Sequence, residues 1–211
     1  MTATAATGFA RGLAEQLAYP AGWAGRLLGA AMDVVNRRPT RLAVDLLDPR
    51  PGESVLDAGC GTGAAMAAVL RRADCRVTGI DPSPVMLGAA GRRLAGSGAE
   101  LRQAGLGDLP FPDACFDAAL LLNVLYFADR EGRMLTDLRR VLKPGGRAVA
   151  YVTHRETMRN WSFTRAGLHR LFDEDELTEA FVTAGFARER VSVHAVPVAR
   201  SITGLLVEAR R

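Results

Sequence analysis

The sequence of 211 residues predicts an α/β fold built on a doubly wound, mostly parallel sheet. Segments with the pattern of buried strands alternate with segments that repeat apolar residues at helical spacing. Such alternation is typical of parallel βαβ units, whose crossovers are right-handed. The segment Phe116 to Leu122 is a nearly continuous apolar run, as expected for a central strand covered on both faces. The length and the 48% hydrophobic content favour a single domain.

The first strand candidate, Ser54 to Ala58, runs directly into a glycine-rich turn. Gly59, Gly61 and Gly63 alternate there, which suits a backbone with unusual φ values and a ligand that approaches closely. Helical spacing follows over residues 62–73, so the turn ends at a helix N-terminus, where negative groups are favoured. The turn also satisfies the loose G-x-G-x-x-G/A form of a dinucleotide site, so by itself it is a weak signal.

Two aspartates sharpen the prediction of a ligand site. Asp57 lies at the end of a strand expected to be buried, where a carboxylate is costly unless a cationic or hydrogen-bonding group meets it. An ammonium group on a ligand would do so. Asp81 ends the second strand, Arg76 to Asp81, about 20 residues beyond the glycines, where a ribose-binding acid belongs.

The remaining elements are predicted from capping residues, apolar spacing and turn residues. They are a helix capped by Ser83, a strand from Glu100 to Gln103, a helix over 130–142, a strand from Arg147 to Thr153, a helix capped by Asp173 with Glu176, and a hairpin of 190–196 and 202–209. In such sheets ligands bind at the carboxyl ends of the strands. By this rule, five parts of the chain should lie together at one rim of the sheet: Asp57 to Gly63, Asp81, Gly105 to Asp108, Asn123 to Tyr126, and His154.

Two helix patterns precede the first strand, the second of them opening at Pro39. We therefore expect residues 1–48 to form a helical segment beside the domain of residues 49–211. This segment either packs on the sheet or caps a substrate site, and the sequence favours neither.

Composition narrows the classes of partner. The chain has 27 Lys and Arg against 23 Asp and Glu, a net charge of only +4, and its basic residues form short dispersed clusters, which argues against a nucleic-acid partner. The 3 cysteines, Cys60, Cys75 and Cys115, are odd in number and lack metal-ligand spacing, so we expect no metal, no disulfide scaffold and a cytoplasmic location. No apolar run of about 18 residues and no signal-peptide pattern occur, so we expect no transmembrane segment.

Four motifs occur in order between residues 53 and 152. They are Val55-Leu56-Asp57-Ala58-Gly59-Cys60-Gly61-Thr62-Gly63, Gly79-Ile80-Asp81-Pro82-Ser83-Pro84, Leu109-Pro110-Phe111-Pro112-Asp113 with Phe116-Asp117, and Leu142-Lys143-Pro144-Gly145-Gly146. On these motifs the chain resembles the class I S-adenosylmethionine-dependent methyltransferases, particularly the small bacterial group similar to quinone-biosynthesis enzymes (methyltransferase type 11). The resemblance implies a seven-stranded Rossmann-like sheet whose last strands add antiparallel to the parallel ones. It also implies S-adenosyl-L-methionine as cofactor and a small-molecule or lipid-like methyl acceptor, and it leaves the oligomeric state open.

The resemblance further implies roles for individual residues at the rim. The glycine turn would pack against the amino-acid end of the cofactor, and Asp81 would accept hydrogen bonds from both ribose hydroxyls, which are stronger to a charged acceptor. Met86 would lie against the adenine face or belong to the core. The predicted cofactor-binding residues are Asp57, Gly59, Cys60, Gly61, Thr62, Gly63, Asp81, Pro82, Met86, Leu106, Asp108 and Asn123.

Adenine recognition is where the sequence departs from the family pattern. Relatives commonly carry an acid four residues before Leu-Pro-Phe, and that position here is Gly105. Because a buried adenine amine still needs an acceptor, we expect Asp108, a backbone carbonyl or an ordered water to replace the acid. Asp108 is our hypothesis, since Gly105 and Gly107 permit a shifted turn, and Leu106 would then contribute its backbone N–H and its side chain to the adenine wall.

Methyl transfer from a sulfonium is an in-line displacement, so positioning of the nucleophile supplies much of the acceleration and a base is optional. The candidate catalytic residues are Tyr19 and Trp23 in the N-terminal segment, Asn123 and Tyr126 after the fourth strand, and His154 after the fifth. His154 is either a general base or an ordinary loop histidine. His169 and His194 have no location that suggests a role.

Two other functions stay open at this point. The loose glycine fingerprint permits a nicotinamide-dependent oxidoreductase, although Asp57 and the short region after residue 153 argue against it. A cofactor-binding protein without methyl transfer is also compatible with Gly105 and with the lack of an evident base.

Overall fold

The computed structural model describes residues 32–129, 131–161, 164 and 169–211. Its seven strands are β1 Ser54–Ala58, β2 Arg76–Asp81, β3 Glu100–Gln103, β4 Phe116–Leu122, β5 Leu142–Thr153, β6 Val191–Ala199 and β7 Ile202–Arg210. Its helices are α1 Arg37–Leu47, α2 Ala64–Arg72, α3 Pro84–Arg93, α4 Arg133–Val141, α5 Arg155–Met158 and α6 Glu174–Thr183, with short 3₁₀ helices at Leu125–Phe127 and Arg188–Arg190.

The strands form one sheet in the order β3-β2-β1-β4-β5-β7-β6. β1 pairs in parallel with both β2 and β4, so the direction in which the chain adds strands reverses between them. A crevice forms at such a reversal, at the carboxyl ends of the strands, and it is the usual ligand site of open α/β sheets. The predicted doubly wound, mostly parallel sheet is confirmed.

The last two strands refine the expectation that both would add antiparallel. β7 pairs antiparallel with β5 and lies between β5 and β6. Because β6 pairs antiparallel with β7, it points the same way as the parallel strands. Only β7 therefore runs against the rest of the sheet.

Helices cover both faces of the sheet and divide the core in two. On one face the buried side chains include Leu138 of α4 and Phe181 of α6, and on the other they include Leu47 of α1 and Met66 of α2. Leu120 and Leu121, adjacent in β4, point to opposite cores. Strand β4 is therefore apolar at every position except Asp117, because both of its faces are covered.

Strand bounds agree with the sequence prediction for β1 to β4, whereas the bounds of the helices, of β5 and of the hairpin strands β6 and β7 differ. The helix predicted over 62–73 spans Ala64–Arg72, and the one predicted over 130–142 spans Arg133–Val141. Strand β5 begins at Leu142 because Leu142 already pairs with Phe116 of β4. The predicted capping box is present, with Asp173 Oδ1 accepting from Glu176 N and Glu176 Oε2 accepting from Asp173 N.

Arg147 fastens the rim opposite to the ligand crevice. Its guanidinium is buried, pairs with both oxygens of Glu53 at 2.9 and 2.8 Å, and donates to the carbonyls of Leu47 and Asp48 at 2.6 and 2.9 Å. One side chain of β5 thus holds the end of α1 and the residue before β1. The planar fork of arginine suits this set of acceptors.

Candidate cofactor and acceptor site

A cavity of about 870 Å³ opens at the carboxyl ends of the strands. Its wall combines the glycine turn after β1, the residues that end β2, the segment after β4, residues 32–40 and the β6–β7 hairpin. The volume lies at the upper end of the range of about 300 to 1,000 Å³ that is usual for ligand sites. It provides room for a cofactor and a second molecule together.

The glycine turn is shaped by backbone contacts with β2 and by close packing against the segment after β4. The N–H groups of Gly59 and Cys60 both donate to Ile80 O, at 2.9 and 2.8 Å. Gly59 has φ +83°, and a Cβ there would lie 2.3 Å from Cγ1 of Val124. Gly63 does not line the cavity; a Cβ on it would instead crowd α3, 3.1 Å from the Cβ of Ala90.

Asp57 lines this cavity at the end of β1 and is only 2% exposed. Its Oδ2 atom is buried and accepts no hydrogen bond within the residues that the structure describes. Burial and the carboxylate of Asp81 raise the pKa of Asp57 to about 7, against a smaller opposing effect of the Met66 backbone N–H. A buried acid with an unused oxygen matches a site for a cationic or hydrogen-donating ligand.

Asp81 lines the same cavity and also organises the turn. Its Oδ2 accepts from Gly61 N at 3.0 Å and its Oδ1 accepts from Ser83 N at 2.8 Å. Burial raises the pKa of Asp81, and these two backbone hydrogen bonds oppose the rise. Since each carboxylate oxygen accepts more than one hydrogen bond, capacity remains for a ligand.

The predicted adenine-side residues divide into two groups. Pro82, Met86 and Leu106 line the cavity, as do Cys60 and Thr62 of the turn. Asp108 and Gly105 are exposed and are not among the described lining residues, so the structure does not bring the Asp108 carboxylate to the site. Of residues 105–108, only Leu106 lines the cavity.

Four residues from three parts of the chain form a continuous hydrogen-bonded chain at the cavity wall. Thr153 N donates to Tyr126 Oη, Tyr126 Oη donates to Asn123 Oδ1 at 3.1 Å, and Asn123 Nδ2 donates to Asn36 Oδ1 at 3.1 Å. Asn123 has φ +60°, a conformation that costs free energy for a residue other than glycine and that is concentrated at functional sites. The candidates Asn123 and Tyr126 are therefore brought together at the cavity.

Tyr126 is buried, and burial raises the pKa of its phenol above the ordinary value, against smaller opposing effects of Thr153. The phenol keeps its proton at neutral pH and is available as a donor. This protonation state favours a positioning role over that of a general base.

His154 lies outside the described cavity lining. Its Nδ1 accepts from Glu156 N at 3.0 Å, where it caps helix α5, and its Nε2 is 3.1 Å from Glu174 Oε2. Both ring nitrogens are thus engaged in holding local structure. Tyr19 and Trp23, the other aromatic candidates, lie outside the described residues.

The structure adds His169, to which sequence reasoning gave no role. Its half-buried ring lines the cavity. The ring centroid of His169 lies 5.3 Å from that of Phe127 and 6.1 Å from that of Tyr126. Burial lowers the pKa of His169, so the imidazole is neutral at pH 7. No local sequence motif marks this histidine as a site residue.

The described end of the N-terminal segment is tied to the glycine turn. Asp33 Oδ1 accepts from Thr62 Oγ1 and Asp33 Oδ2 accepts from Arg93, both at 2.6 Å. Arg93 also donates to the Thr62 carbonyl at 2.9 Å. Residues 32–36 therefore form part of the cavity wall, and they contact both the turn and, through Asn36, the segment after β4.

The charge of the cavity is one-sided. Its described wall contains Asp33, Asp57 and Asp81, and it contains neither lysine nor arginine. Among the described residues no group of three or more His, Cys, Asp and Glu side chains is arranged to hold a metal ion. In the same part of the chain, no helix has the length and apolar character needed to cross a bilayer.

A doubly wound sheet with buried acids at the ends of two neighbouring strands, beside a glycine turn, defines a protein of the Rossmann-like nucleotide-cofactor class. Residues 56–150 match the family model described as a methyltransferase domain. A methyltransferase of Bacillus subtilis strain 168, YdaC, is 30% identical over 131 residues, 62% of this chain and 72% of its own length. The chain belongs to the class I S-adenosylmethionine-dependent methyltransferase family.

Two further comparisons extend this result. A demethylmenaquinone methyltransferase of Tropheryma whipplei is 45% identical over 109 residues, 52% of this chain and 45% of the relative. The chain thus spans about half the length of such curated relatives. The crystal structure of geranyl diphosphate C-methyltransferase from Streptomyces coelicolor, in complex with Mg²⁺, geranyl diphosphate and S-adenosyl-L-homocysteine, shares the fold with a TM-score of 0.67 at 19% identity, over 82% of this chain and 79% of that one.

Proposed function

We propose that this protein transfers the methyl group of S-adenosylmethionine to a small, largely apolar acceptor. The observation that carries the proposal is Asp57, which lines the cavity beside the glycine turn and has a buried Oδ2 atom without a partner among the described residues. The ammonium group of the cofactor would supply that partner. Family membership and the solved neighbour that holds S-adenosyl-L-homocysteine support the same cofactor.

Charge favours this cofactor over a nicotinamide dinucleotide. The dinucleotide carries a diphosphate, which would meet the carboxylates of Asp57 and Asp81 in a described cavity wall that has no lysine or arginine. S-Adenosylmethionine carries a sulfonium and an ammonium instead. Opposite charges attract strongly when both are removed from water, so a wall of aspartates selects the cation.

The remaining cofactor groups follow from the positions of the lining residues. We propose that Asp81 accepts from the ribose hydroxyls while it continues to hold Gly61 and Ser83, and that Pro82, Met86 and Leu106 enclose the adenine. The turn at Gly59 to Thr62 would contact the amino-acid end.

The bound cofactor supplies an electrophilic methyl group, and the protein's part is to orient the acceptor and shield it from water. Asn123 and Tyr126 hold each other in place at the wall, next to the turn that Val124 touches. Tyr126 stays protonated and positions its neighbours. His169, neutral in the same cavity, is a described group able to take a proton from a hydroxyl-bearing acceptor.

The acceptor is proposed to be lipid-like because the wall away from the aspartates is apolar. Met158, Trp161, Val198 and Ile202 line that part, and Phe127 is 37% exposed near it. Burial of apolar surface would supply most of the acceptor's affinity. We further propose that residues 1–48 cap this side, since Asp33 and Asn36 already form part of the wall.

The cytoplasm remains the proposed compartment. Cys60, Cys75 and Cys115 are free thiols, which is usual in a reducing environment. Cell fractionation followed by immunodetection would test the location.

Calorimetry tests the proposed function. S-Adenosyl-L-homocysteine is expected to bind and a reduced nicotinamide dinucleotide is not, and Asp81→Ala should lower the affinity by about 1.5 to 3 kcal/mol, the usual worth of hydrogen bonds to a charged group. Incubation with methyl-labelled S-adenosylmethionine and a panel of apolar phenols, quinols and enols should then transfer label. Binding without transfer to any member would favour a cofactor-binding protein without methyl transfer.

A further inference from the structure

The hydrogen-bonded chain at the cavity wall has a fixed direction. It begins at a backbone N–H, that of Thr153, which can only donate, and this group donates to Tyr126 Oη. The phenol proton must then go elsewhere, and the neighbouring acceptor is Asn123 Oδ1 at 3.1 Å. Because amide orientation follows from the surrounding network, Asn123 must present its oxygen to the tyrosine and its nitrogen to Asn36.

The same logic orients Asn36. Asn123 Nδ2 donates to Asn36 Oδ1 at 3.1 Å, so the amide nitrogen of Asn36 is the free end of the chain. Within the described part of the chain, Asn36 Nδ2 donates to no other residue. Both asparagines line the cavity, and Asn123 precedes Val124, whose Cγ1 packs against the Gly59 position of the glycine turn.

We propose that Asn36 determines acceptor specificity by presenting its amide N–H groups, together with the second N–H of Asn123, to an oxygen of the acceptor that carries no proton. The acceptor class is then an apolar ring compound with a carbonyl or oxyanion beside the atom that is methylated. A hydroxyl in that place would meet two donors and leave its own proton unpaired, which is costly in a site removed from water. This inference rests on the proposed function, since it concerns the same cavity.

Asn36→Asp separates this role from a structural one. The carboxylate still accepts from Asn123 Nδ2, so the wall stays anchored, but it has no N–H to offer. Asn36 caps no helix with its side chain, so thermal unfolding should be little changed. Asn160→Asp is the matched control: Asn160 also lines the cavity, but its Nδ2 is already bonded to Glu156 O at 3.0 Å.

The probes are α-tetralone and tetralin, which share a bicyclic skeleton and differ by one carbonyl oxygen. Their affinities are measured by ligand-observed NMR titration with S-adenosyl-L-homocysteine at saturation. The native protein should bind α-tetralone about 3- to 10-fold more tightly than tetralin, as expected for one or two neutral hydrogen bonds. Asn36→Asp should lower that ratio by weakening α-tetralone alone, since only the N–H of Asn123 then remains, and Asn160→Asp should keep it.

The proposal is overturned if the native protein does not prefer α-tetralone, if neither probe binds, or if Asn36→Asp leaves the ratio unchanged or lowers both affinities equally. The proposal is also overturned if Asn160→Asp loses the preference for α-tetralone as well, because any carboxylate added to the cavity wall would then be enough to remove that preference. Saturation with S-adenosyl-L-homocysteine is measured first and separately. Its failure would refute the proposed function, whereas a failed ratio with normal cofactor binding refutes only the role of Asn36.

Discussion

Asp57 and Asp81 end neighbouring parallel strands with both carboxyl groups buried at one cavity, and the charge of Asp81 adds to burial in raising the pKa of Asp57. Two acids placed this close in a wall without a described lysine or arginine are unfavourable in the absence of a ligand. This arrangement is therefore expected at a site that binds a cationic molecule.

This relationship predicts an unusual pH dependence of stability. Asp57 has a pKa of about 7 in the folded protein against an ordinary value of 3.8, so between these values the folded state binds more protons than the unfolded state. The ligand-free protein should therefore lose stability as the pH rises from about 4 through about 7, by on the order of 4 kcal/mol at most. Urea unfolding from pH 5 to pH 8 measures the loss, and Asp57→Asn should flatten it. A parallel profile in the variant would contradict the assignment.

The same relationship between Asp57 and Asp81 gives the second half of this first prediction: cofactor affinity should depend on pH in the opposite sense to stability. The ammonium pairs with the ionised form of Asp57, whose ionised fraction rises about tenfold between pH 6 and pH 8 for a pKa near 7. Affinity for S-adenosyl-L-homocysteine should rise by about that factor over this interval in native protein and stay nearly constant in Asp57→Asn. Equal pH dependence in both proteins would place the ammonium elsewhere.

The close approach of Gly59 to Val124 gives a second prediction. Alanine at position 59 requires φ +83° and places a Cβ 2.3 Å from Val124 Cγ1, so the free energy of unfolding should fall by about 2 to 4 kcal/mol. Adding Val124→Ala removes the obstructing methyl and should restore part of the loss. Gly61→Ala, with φ +52° and no atom within 4 Å, is the control and should lose only about 1 to 2 kcal/mol. No recovery in the double variant would show that backbone strain alone is responsible.

A third prediction concerns the missing acid at the adenine edge. Asp108 is exposed and lies outside the described cavity lining, so, against our sequence-based hypothesis, Asp108→Ala should leave the affinity for S-adenosyl-L-homocysteine unchanged. Gly105→Asp should raise it, because position 105 adjoins the lining residue Leu106, a Cβ there meets no atom within 4 Å, and a carboxylate offers the amine an acceptor. Calorimetric titration of both variants with S-adenosyl-L-homocysteine tests this prediction. Weaker binding by Asp108→Ala would contradict it, and would mean that the turn at Gly105 to Asp108 moves toward the ligand on binding.

The fourth prediction separates stability from function. Arg147→Met leaves Glu53 and the carbonyls of Leu47 and Asp48 without their buried donor, so unfolding free energy should fall by about 3 kcal/mol. Because Arg147 lies at the rim opposite to the cavity, cofactor affinity of the folded protein should not change. Adding Glu53→Leu removes the stranded charge and should recover more than half of the loss. If the double variant instead loses the sum of the unfolding free energies lost by the two single variants, the ion pair between Arg147 and Glu53 is not what stabilises this rim.

Local patterns in the sequence determined the strands, the glycine turn and the two acids at the carboxyl rim. These features depend on residues close together in the chain: a nearly continuous apolar run predicts a buried strand at Phe116–Leu122, and Asp57 is two positions from the first glycine. Hydrogen bonds between neighbouring strands, together with crossover connections that keep those strands parallel, then place the carboxyl ends of the strands at one rim. The bounds of β1 to β4 and the capping box of α6 followed in the same way.

Only the tertiary structure decided which polar side chains meet at the acceptor side. The pair Asn36 and Asn123 is separated by 87 positions, and no periodicity or capping rule relates them. His169 lines the cavity wall, whereas His154 lies outside the described lining and contacts Glu174, and residues nearby in the chain indicate neither position. The exposed turn at Gly105 to Asp108 was equally beyond local reasoning. Side-chain direction in a loop depends on packing against distant residues, which sequence spacing does not encode.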